Sequence, residues 1–580
     1  IADLVASCDI DHRIPPIPDT RGGSEEGYRR FDAFLTDKLA AYADERNDPL
    51  ADATSRVSAY LHVGCVAPWR LARRAAAVGN DGADKWIDEL LTWRELAWHW
   101  CHHHPGEARW DDLPSWARRS FDAHANDPRK VFPRSVLERG ATGDALWDAC
   151  ATSLLRQGEL HNNLRMTWVK SIPMWRPDGA DAYATAIAIN DALSLDGRDP
   201  ASIGGIGWGF GLFDRPHTPE TPVLGSVRSR PTDAMARRID VAALNRHVRR
   251  PLVKASAKVA IVGAGLAGLR AADVFDLAGF DVHMFDKGRV AGGRLATRRS
   301  EGALCDHGAP SIDAHHPRFV AWCDALVDEG VLERDGRRRV RVEADGRTVA
   351  DDRDDARYVA RSANAALTAH LAEGRALRCG SAVTACVRID GRWSLRFDDG
   401  GEAGPFDGLL LTAPAPQAAA LLGRAHAWFD RLSTVAYAPC ITAMATFDDV
   451  VDPEADVFEF SDGPIATAVR GRTPGTWVLH GTTTYSLTEL DTDPETSAGR
   501  LVEAWGRRLG ATRPPSWLRA HRWRFARAVA DPLVLRPPVD ADALLAVAGD
   551  AFGGGDAQGA WLSGESAAAR LRDALFARSR

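Results

Sequence analysis

The sequence predicts a multidomain chain: an all-α first half, then an α/β second half with a strand-rich middle. Three observations carry this. The chain has 580 residues, beyond the ~250–300 at which single cores stop growing. Up to about Leu195 its apolar residues recur mostly at helical spacing. Near the middle, Lys258–Arg294 reads as strand, glycine turn, helix and strand in succession. The expected boundaries are 1–245 for the helical domain, 246–257 for a linker and 258–580 for the second domain.

In the first half, Phe31, Phe34, Leu35, Leu39 and Tyr42 give Tyr28–Ala43 a helical period. Thr54-Ser55-Arg56 precedes a further apolar run, a capped helix start with hydroxyls and N–H groups free for a phosphate. Lys85–His104 is an apolar helix carrying Trp93, Trp98 and Trp100, and Leu154–Trp175 and Ala182–Leu193 are the next helices. Glu95 and Trp98 are three apart and share a helix face. Asp196–Phe213 is glycine-rich and reads as irregular. His102-His103-His104 point in successive directions around a helix and make a poor chelate, so no metal site is expected.

Composition excludes some classes of function. With 45% hydrophobic and 26% charged residues the chain resembles soluble globular proteins, and no apolar run is long enough to span a bilayer. Nine cysteines without a CxxC pair argue for a reducing, cytoplasmic setting and against a zinc ribbon. The net charge of −7 gives no bulk attraction to nucleic acid. Only Ser226–Lys258, with nine Arg or Lys against two Asp, offers a local basic patch, and it reads first as a solvated linker. The chain opens at Ile1 and not Met, so its natural N-terminus is expected upstream.

In the second half, Val259–Val262 is a short buried strand, and Gly263-x-Gly265-x-x-Gly268 follows it. Gly263 permits the tight turn, Gly265 lets the backbone approach a pyrophosphate, and Gly268 lets helix and strand pack. The helix runs to Leu277, Gly279 stops it, and the strand Asp281–Phe285 ends at Asp286, where a ribose-binding acid is expected. That register predicts a dinucleotide site. Lys287 and the turn Gly292-Gly293-Arg294 add a second phosphate-cradling element. Arg392–Phe397, Ile441–Phe447 and Thr476–Thr484 read as strands. A late strand ends in Gly549-Asp550, and Gly559-Ala560 opens the last helix. Arg337-Arg338-Arg339 after Asp335-Gly336 reads as a solvated face.

Four motifs of the first half carry a family resemblance. TSRVSAYLHVG (54–64), WREL (93–96), LHNNLRM (160–166) and LDGRDP (195–200) with DRP (214–216) resemble the photolyase and cryptochrome family, class II photolyases most closely. The resemblance implies an all-helical FAD-binding domain, its antenna domain absent or truncated. It implies FAD contacts at Tyr42, Thr54, Ser55, Ser58, Arg165 and Asp196. It further implies pyrimidine-dimer contacts on damaged DNA at Glu95, Trp98 and Asn162, with Trp168 and Trp175 as photoreduction candidates. Ala201 stands where class II enzymes usually carry an Asn near the flavin N5, and it cannot hydrogen-bond there. A cryptochrome-like light sensor or redox module without repair activity is therefore the alternative.

The second half, through FDK (285–287), AGGRLATR (291–298), DHGA (306–309), HRWRFA (521–526) and GDAFGG (549–554), resembles FAD-dependent amine-oxidase-type enzymes, the renalase-like branch in particular. This implies a Rossmann-type FAD domain and a mainly β substrate domain from about 313–358 and 413–540. It also implies hydride transfer from a dihydronicotinamide-like or amine substrate to FAD and then to O2. The FAD contacts would be Gly263, Gly265, Gly268, Asp286, Lys287, Gly292, Gly293, Arg294, Asp550, Gly559 and Ala560. The only lysine after Lys258 is Lys287, at the adenine end, so the lysine that ordinary amine oxidases place by the flavin is lacking. Two FAD are expected per chain, and His307, Trp523 and Trp561 are candidate pocket residues.

Overall fold

A computed structural model describes residues 4–5, 8–17, 20–250, 257–300, 302–351, 356–448, 453, 455–509, 513–529 and 537–578. The chain forms two compact units, one of Pro16–Leu252 and the other of Val253–Arg580 together with Ile1–Pro15. Positions 251–256 of the expected linker lie outside the described residues. Among the described residues no helix is long and apolar enough to cross a membrane.

The first unit is built from helices, with one isolated β-bridge, Thr221 to Gly225, among its described residues. Several helices differ from the periodicity reading. Lys85–His104 divides into a helix ending at Asp88, a π-helical turn Glu89–Arg94 and the helix Glu95–His103. Leu154–Trp175 is broken because Gly158, at φ 62°, ends the helix Ala145–Gln157, and a fresh helix Asn162–Ser171 begins after it. The segment expected to be irregular contains the helix Pro200–Gly209. Proline is tolerated at its first turn, and Asp199 caps it by accepting the Ala201 N–H at 2.8 Å. Its glycines permit close packing: a Cβ at Gly204 would lie 2.7 Å from Ala97 Cβ, and one at Gly209 2.5 Å from Val169. Nor is the basic stretch from Ser226 simply a linker. It folds into the helices Thr232–Ala236 and Val241–Val248, the second burying Leu244 and Val248.

In the second unit the expected strand–turn–helix–strand is present as Lys258–Val262, Leu266–Ala278 and Asp281–Phe285, with Gly279 left-handed at the helix end. The six-stranded sheet runs in the order Ala376–Arg378, Asp281–Phe285, Lys258–Val262, Gly408–Leu411, Leu545–Val547, Val539–Asp540. All its pairings are parallel except the last. Strands buried on both faces explain the continuous apolar runs. The last helix, Ala557–Arg578, crosses Leu266–Ala278 closely, because Gly564 has no side chain: a Cβ there would stand 2.2 Å from Ala267 O.

A seven-stranded sheet uses residues 339–350 and 437–528, with Trp517–Ala528 at one edge beside Tyr437–Thr446. Arg392–Phe397 belongs to a separate three-stranded antiparallel sheet. The strand from Thr476 ends at Gly481, where Thr482 caps a short helix. Arg337 and Arg339 do not form a solvated face, since both pair with buried Asp335. Burial would raise this carboxyl, but the two guanidinium groups outweigh it and hold it at about 2.

The first fifteen residues were expected in the helical domain, yet they group with the second unit. Asp9 pairs with Arg318 at 2.9 Å, and Asp11 faces Arg270 at 3.5 Å. Arg572 donates to His12 O at 2.9 Å.

Candidate functional site

In the first unit the motifs meet at a cavity of about 1100 Å³. Tyr42, Thr54, Ser55, Ser58, Asn162, Arg165 and Asp196 all line it, as does Ala201. Arg165 donates to Asp196 at 3.3 Å and to Ser202 Oγ at 2.9 Å, and Ser202 in turn donates to the buried Asn190 at 3.0 Å. Trp86 Nε1 donates to Ser55 Oγ at 3.3 Å. The hydroxyls do not cap a helix as expected: the short helix begins at Ser58 without a side-chain cap, and Thr54 and Ser55 stay in the turn before it. A buried ion pair ties the motifs together. Arg94 of WREL forks onto Asp199 of LDGRDP at 2.8 and 2.9 Å, and His62 stands 3.4 Å from the same carboxylate. Lys170 lines the cavity too, and burial pushes its ammonium down to about 8.

Glu95 and Trp98 are not on this wall. Trp98 is solvent-exposed beneath the Arg94 guanidinium. The π-helical turn instead brings Glu89 and Trp93 to the cavity. Trp93 stacks on Trp208 with ring centroids 4.9 Å apart, and Trp208 also lines it. Glu89 is held by Arg46 and Lys85, each at 2.9 Å. A π-bulge shifts the register of a helix face, and 3.6-residue spacing could not anticipate it.

The second unit has a cavity of about 1270 Å³ where the parallel sheet meets the seven-stranded one. Gly263, Gly265, Asp286, Lys287, Gly292, Gly293, Arg294, Asp550 and Ala560 line it. A Cβ at Gly265 would meet no atom within 4 Å and would stand in the open cradle. Gly268 and Gly559 are off the wall, and their role is packing: a Cβ would lie 2.0 Å from Gly263 O in the first case and 1.8 Å from Gly553 O in the second. Asp286 accepts the N–H groups of Ala264 and Gly288, both at 2.6 Å, and so fixes the turn. Lys287 donates to Gln417 at 3.2 Å.

Arg294 and Asp550, read from sequence as separate contacts, bind each other through a fork of 2.7 and 2.8 Å. The Ala528 N–H and the Tyr437 hydroxyl complete the carboxylate's shell at 3.1 and 3.3 Å. His307 and Trp523 line the sheet end together with His521. Trp561 does not: it is buried against Phe319 with Arg270 over its ring.

Comparison with known proteins agrees with this division. Over 209 residues the chain is 35% identical to the deoxyribodipyrimidine photo-lyase of Methanothermobacter thermautotrophicus, covering 36% of this chain and 46% of that protein. It is 32% identical over 253 residues to that of Oryza sativa subsp. japonica, covering 42% and 50%. For Arabidopsis thaliana the figures are 34% over 218 residues, covering 37% and 44%. These matches fall in the N-terminal half. That half is photolyase-like. The chain spans about half the length of these relatives. Residues 261–326 match the NAD(P)-binding Rossmann-like domain family. Two solved structures are similar over 56% of this chain, each with a TM-score of 0.42. One is a putative protoporphyrinogen oxidase from Exiguobacterium sp. 255-15, 16% identical and 99% covered. The other is a fatty acid isomerase from P. acnes that produces CLA, 12% identical and 98% covered.

Within the photolyase-like unit, Trp168 and Trp175 do not touch the cavity. Sequence reasoning missed the residue between them. Trp147 is parallel to Trp168 at 6.0 Å and edge-on to Trp175 at 5.2 Å, and its Nε1 donates to Trp168 O at 2.9 Å. Its position on an apolar helix gave no signal beyond that of a core residue.

Proposed function

We propose that the chain is a two-module flavoprotein. The first unit would bind FAD and act as a class II photolyase-like lyase, repairing pyrimidine dimers in damaged DNA under light. The second would bind another FAD and oxidise a dihydronicotinamide-like or amine substrate. The observation that carries the first assignment is the gathering of four separate motifs on one cavity wall. For the second it is the open glycine cradle at Gly265 and Gly293 beside Asp286.

The residues present suit the cofactor in both places. In the first cavity Tyr42, Thr54, Ser55, Ser58, Arg165 and Asp196 would hold it, a set of hydroxyls with one partly buried cation–anion pair. In the second, Gly265 leaves room for a diphosphate, with the turns at Gly263 and Gly292-Gly293 and with Asp286, Lys287 and Ala560 around it. When bound, FAD would supply light-driven electron transfer in the first unit and hydride acceptance, with onward transfer to O2, in the second. The protein's own contribution in the first unit is a π-surface. Trp93 and Trp208 stack at the wall, and a base taken out of a duplex needs such a platform. Trp93 replaces Trp98 in that role, Glu89 replaces Glu95 as the adjoining acid, and Asn162 stays on the same wall. Trp168, Trp147 and Trp175 would relay electrons through the core. No catalytic base is assigned in the second unit, because hydride leaving a dihydropyridine requires none.

The second reading, a light sensor or redox module without repair, is favoured by Ala201 on the cavity wall. One experiment separates the two: dithionite-reduced protein is illuminated with an oligonucleotide containing a thymine dimer. Splitting is expected, and its absence from flavin-replete protein would leave the sensor reading.

A further inference from the structure

The sheet end of the second cavity carries more positive charge than a dinucleotide turn requires. Arg298 and Arg299, on the strand Thr297–Ser300, line it together with Arg522 and Arg524 of the strand Trp517–Ala528. Arg298 makes one long contact, to Ala520 O at 3.5 Å, and has no carboxylate partner among the described residues. The acids of the same wall are Asp286, Asp550 and Asp556. Each is already engaged: Asp286 by two backbone N–H groups, Asp550 by Arg294, and Asp556 by the Gly559 N–H at 2.6 Å. Arg522 is turned to the carbonyls of Leu490 and Thr492, at 2.6 and 3.3 Å, which leaves Arg298 as the cation of this wall beside the aromatic pair. An ammonium ligand would meet that charge and no free carboxylate.

Beside Arg298 stands a stacked aromatic pair. His307 is 6% exposed, lies parallel to Trp523 at 5.5 Å, and meets His521 edge-on at 4.9 Å. Trp523 Nε1 donates to His307 O at 3.1 Å and fixes the pair. His307 Nδ1 is buried on this wall without a hydrogen-bond partner. Burial first, then the charges of His521, Arg298 and His480, keep that imidazole neutral, so it adds a polar contact and no charge.

We propose that the second unit selects an anionic substrate with a flat ring, the ring against the Trp523–His307 pair and its carboxylate or phosphate at Arg298, and that it rejects amines. This deepens the hydride-transfer reading above and rests on it for the substrate to be oxidised.

Flavin absorbance of the FAD-loaded full chain, titrated with benzoate, phenyl phosphate, benzamide and benzylamine, tests the charge rule. At least one of the two anions should bind about tenfold more tightly than benzamide, the size of one charge-assisted contact, and benzylamine should bind more weakly still. Comparing the anions shows which group is taken. Arg298→Gln should erase the preference and Arg298→Lys should keep most of it, with flavin content unchanged in both. Turnover of dihydronicotinamide mononucleotide against its riboside is measured in parallel. Equal binding of anion, amide and amine, with both dihydronicotinamides oxidised alike, overturns the charge rule and leaves the hydride reading standing. Arg298-dependent anion binding without oxidation of either dihydronicotinamide does the reverse.

Discussion

Arg94 and Asp199, 105 residues apart in sequence, share a buried two-pronged ion pair in the wall of the photolyase-like unit. The side chains are 10% and 1% exposed. Asp199 also caps the helix that carries Trp208, and Arg94 leaves the π-helical turn that carries Trp93. The pair therefore sets the spacing of the stacked tryptophans. Removing one member of a buried pair strands the other and costs about 3–5 kcal/mol. Asp199→Asn should lower the melting temperature of the first unit and release its flavin, while the second unit's transition stays in place. Calorimetry that resolves the two transitions checks this, and an unshifted first transition would refute it.

Trp147 makes a separable prediction. It touches Trp168 and Trp175 but not the cavity, so Trp147→Phe should leave flavin binding intact. Light-driven reduction of that flavin by an external reductant should slow at least about tenfold, the price of an aromatic gap in the relay. Phenylalanine leaves part of the buried volume empty and removes the Nε1 donor to Trp168 O, so the stability cost is about 2–4 kcal/mol. Photoreduction at wild-type rate in the variant would remove Trp147 from the path.

The way each half departs from its sequence reading shows what local patterns encode. The glycine turn, its helix and the acid at Asp286 were legible because each residue's role is set by its immediate neighbours. The hydroxyl and cation positions of the first cavity were legible as motifs. Glu95 and Trp98 were expected on the cavity wall, but a π-turn brings Glu89 and Trp93 there instead, and its extra residue per turn leaves no compositional mark. The helix at Pro200–Gly209 was hidden because glycine counts against helix locally, whereas here Ala97 and Val169 require it. The Arg294–Asp550 pair and the docking of residues 8–15 join positions more than 200 residues apart, and no periodicity reports such contacts.

Asp550 provides the test of flavin number. Its carboxylate is 2% exposed and holds Arg294, the Ala528 N–H and Tyr437 in one shell. Burial would lower the Arg294 guanidinium, but the bonds to Asp550 outweigh it and raise it. Asp550→Asn should free Arg294 and collapse the end of the second cavity formed by the Gly549 turn. Flavin released by denaturation should fall from two per chain to one, with the first unit's photochemistry unchanged. A count of two in the variant, or of one in the wild type, would contradict the assignment.

The histidines of the second unit give it an acid-sensitive stability. Burial lowers His307 to about 3, and it also lowers His480 and, with Arg298 adding to it, His521. An unfolded histidine titrates near 6.5. Above that pH these three are neutral in both states and cost nothing. Below it the unfolded chain gains protons that the folded unit refuses, so stability falls with falling pH by up to about 1.4 kcal/mol per pH unit for each histidine. For His307 the loss continues to about pH 3. Lowered carboxylates such as Asp335 begin to contribute only below about 4, so from pH 6.5 to 4.5 the three histidines are opposed by one group, Asp276, which burial raises to about 6 and which stabilises the fold as pH falls. In the first unit His124 is raised by its hydrogen bond to Asp127, so its contribution has the opposite sign: present below 6.5 and lost as pH rises. Unfolding of the second unit followed across that window should show the decline, and His307→Phe should flatten it by one proton's worth. A variant with the wild-type slope would mean that His307 is not held neutral by the fold.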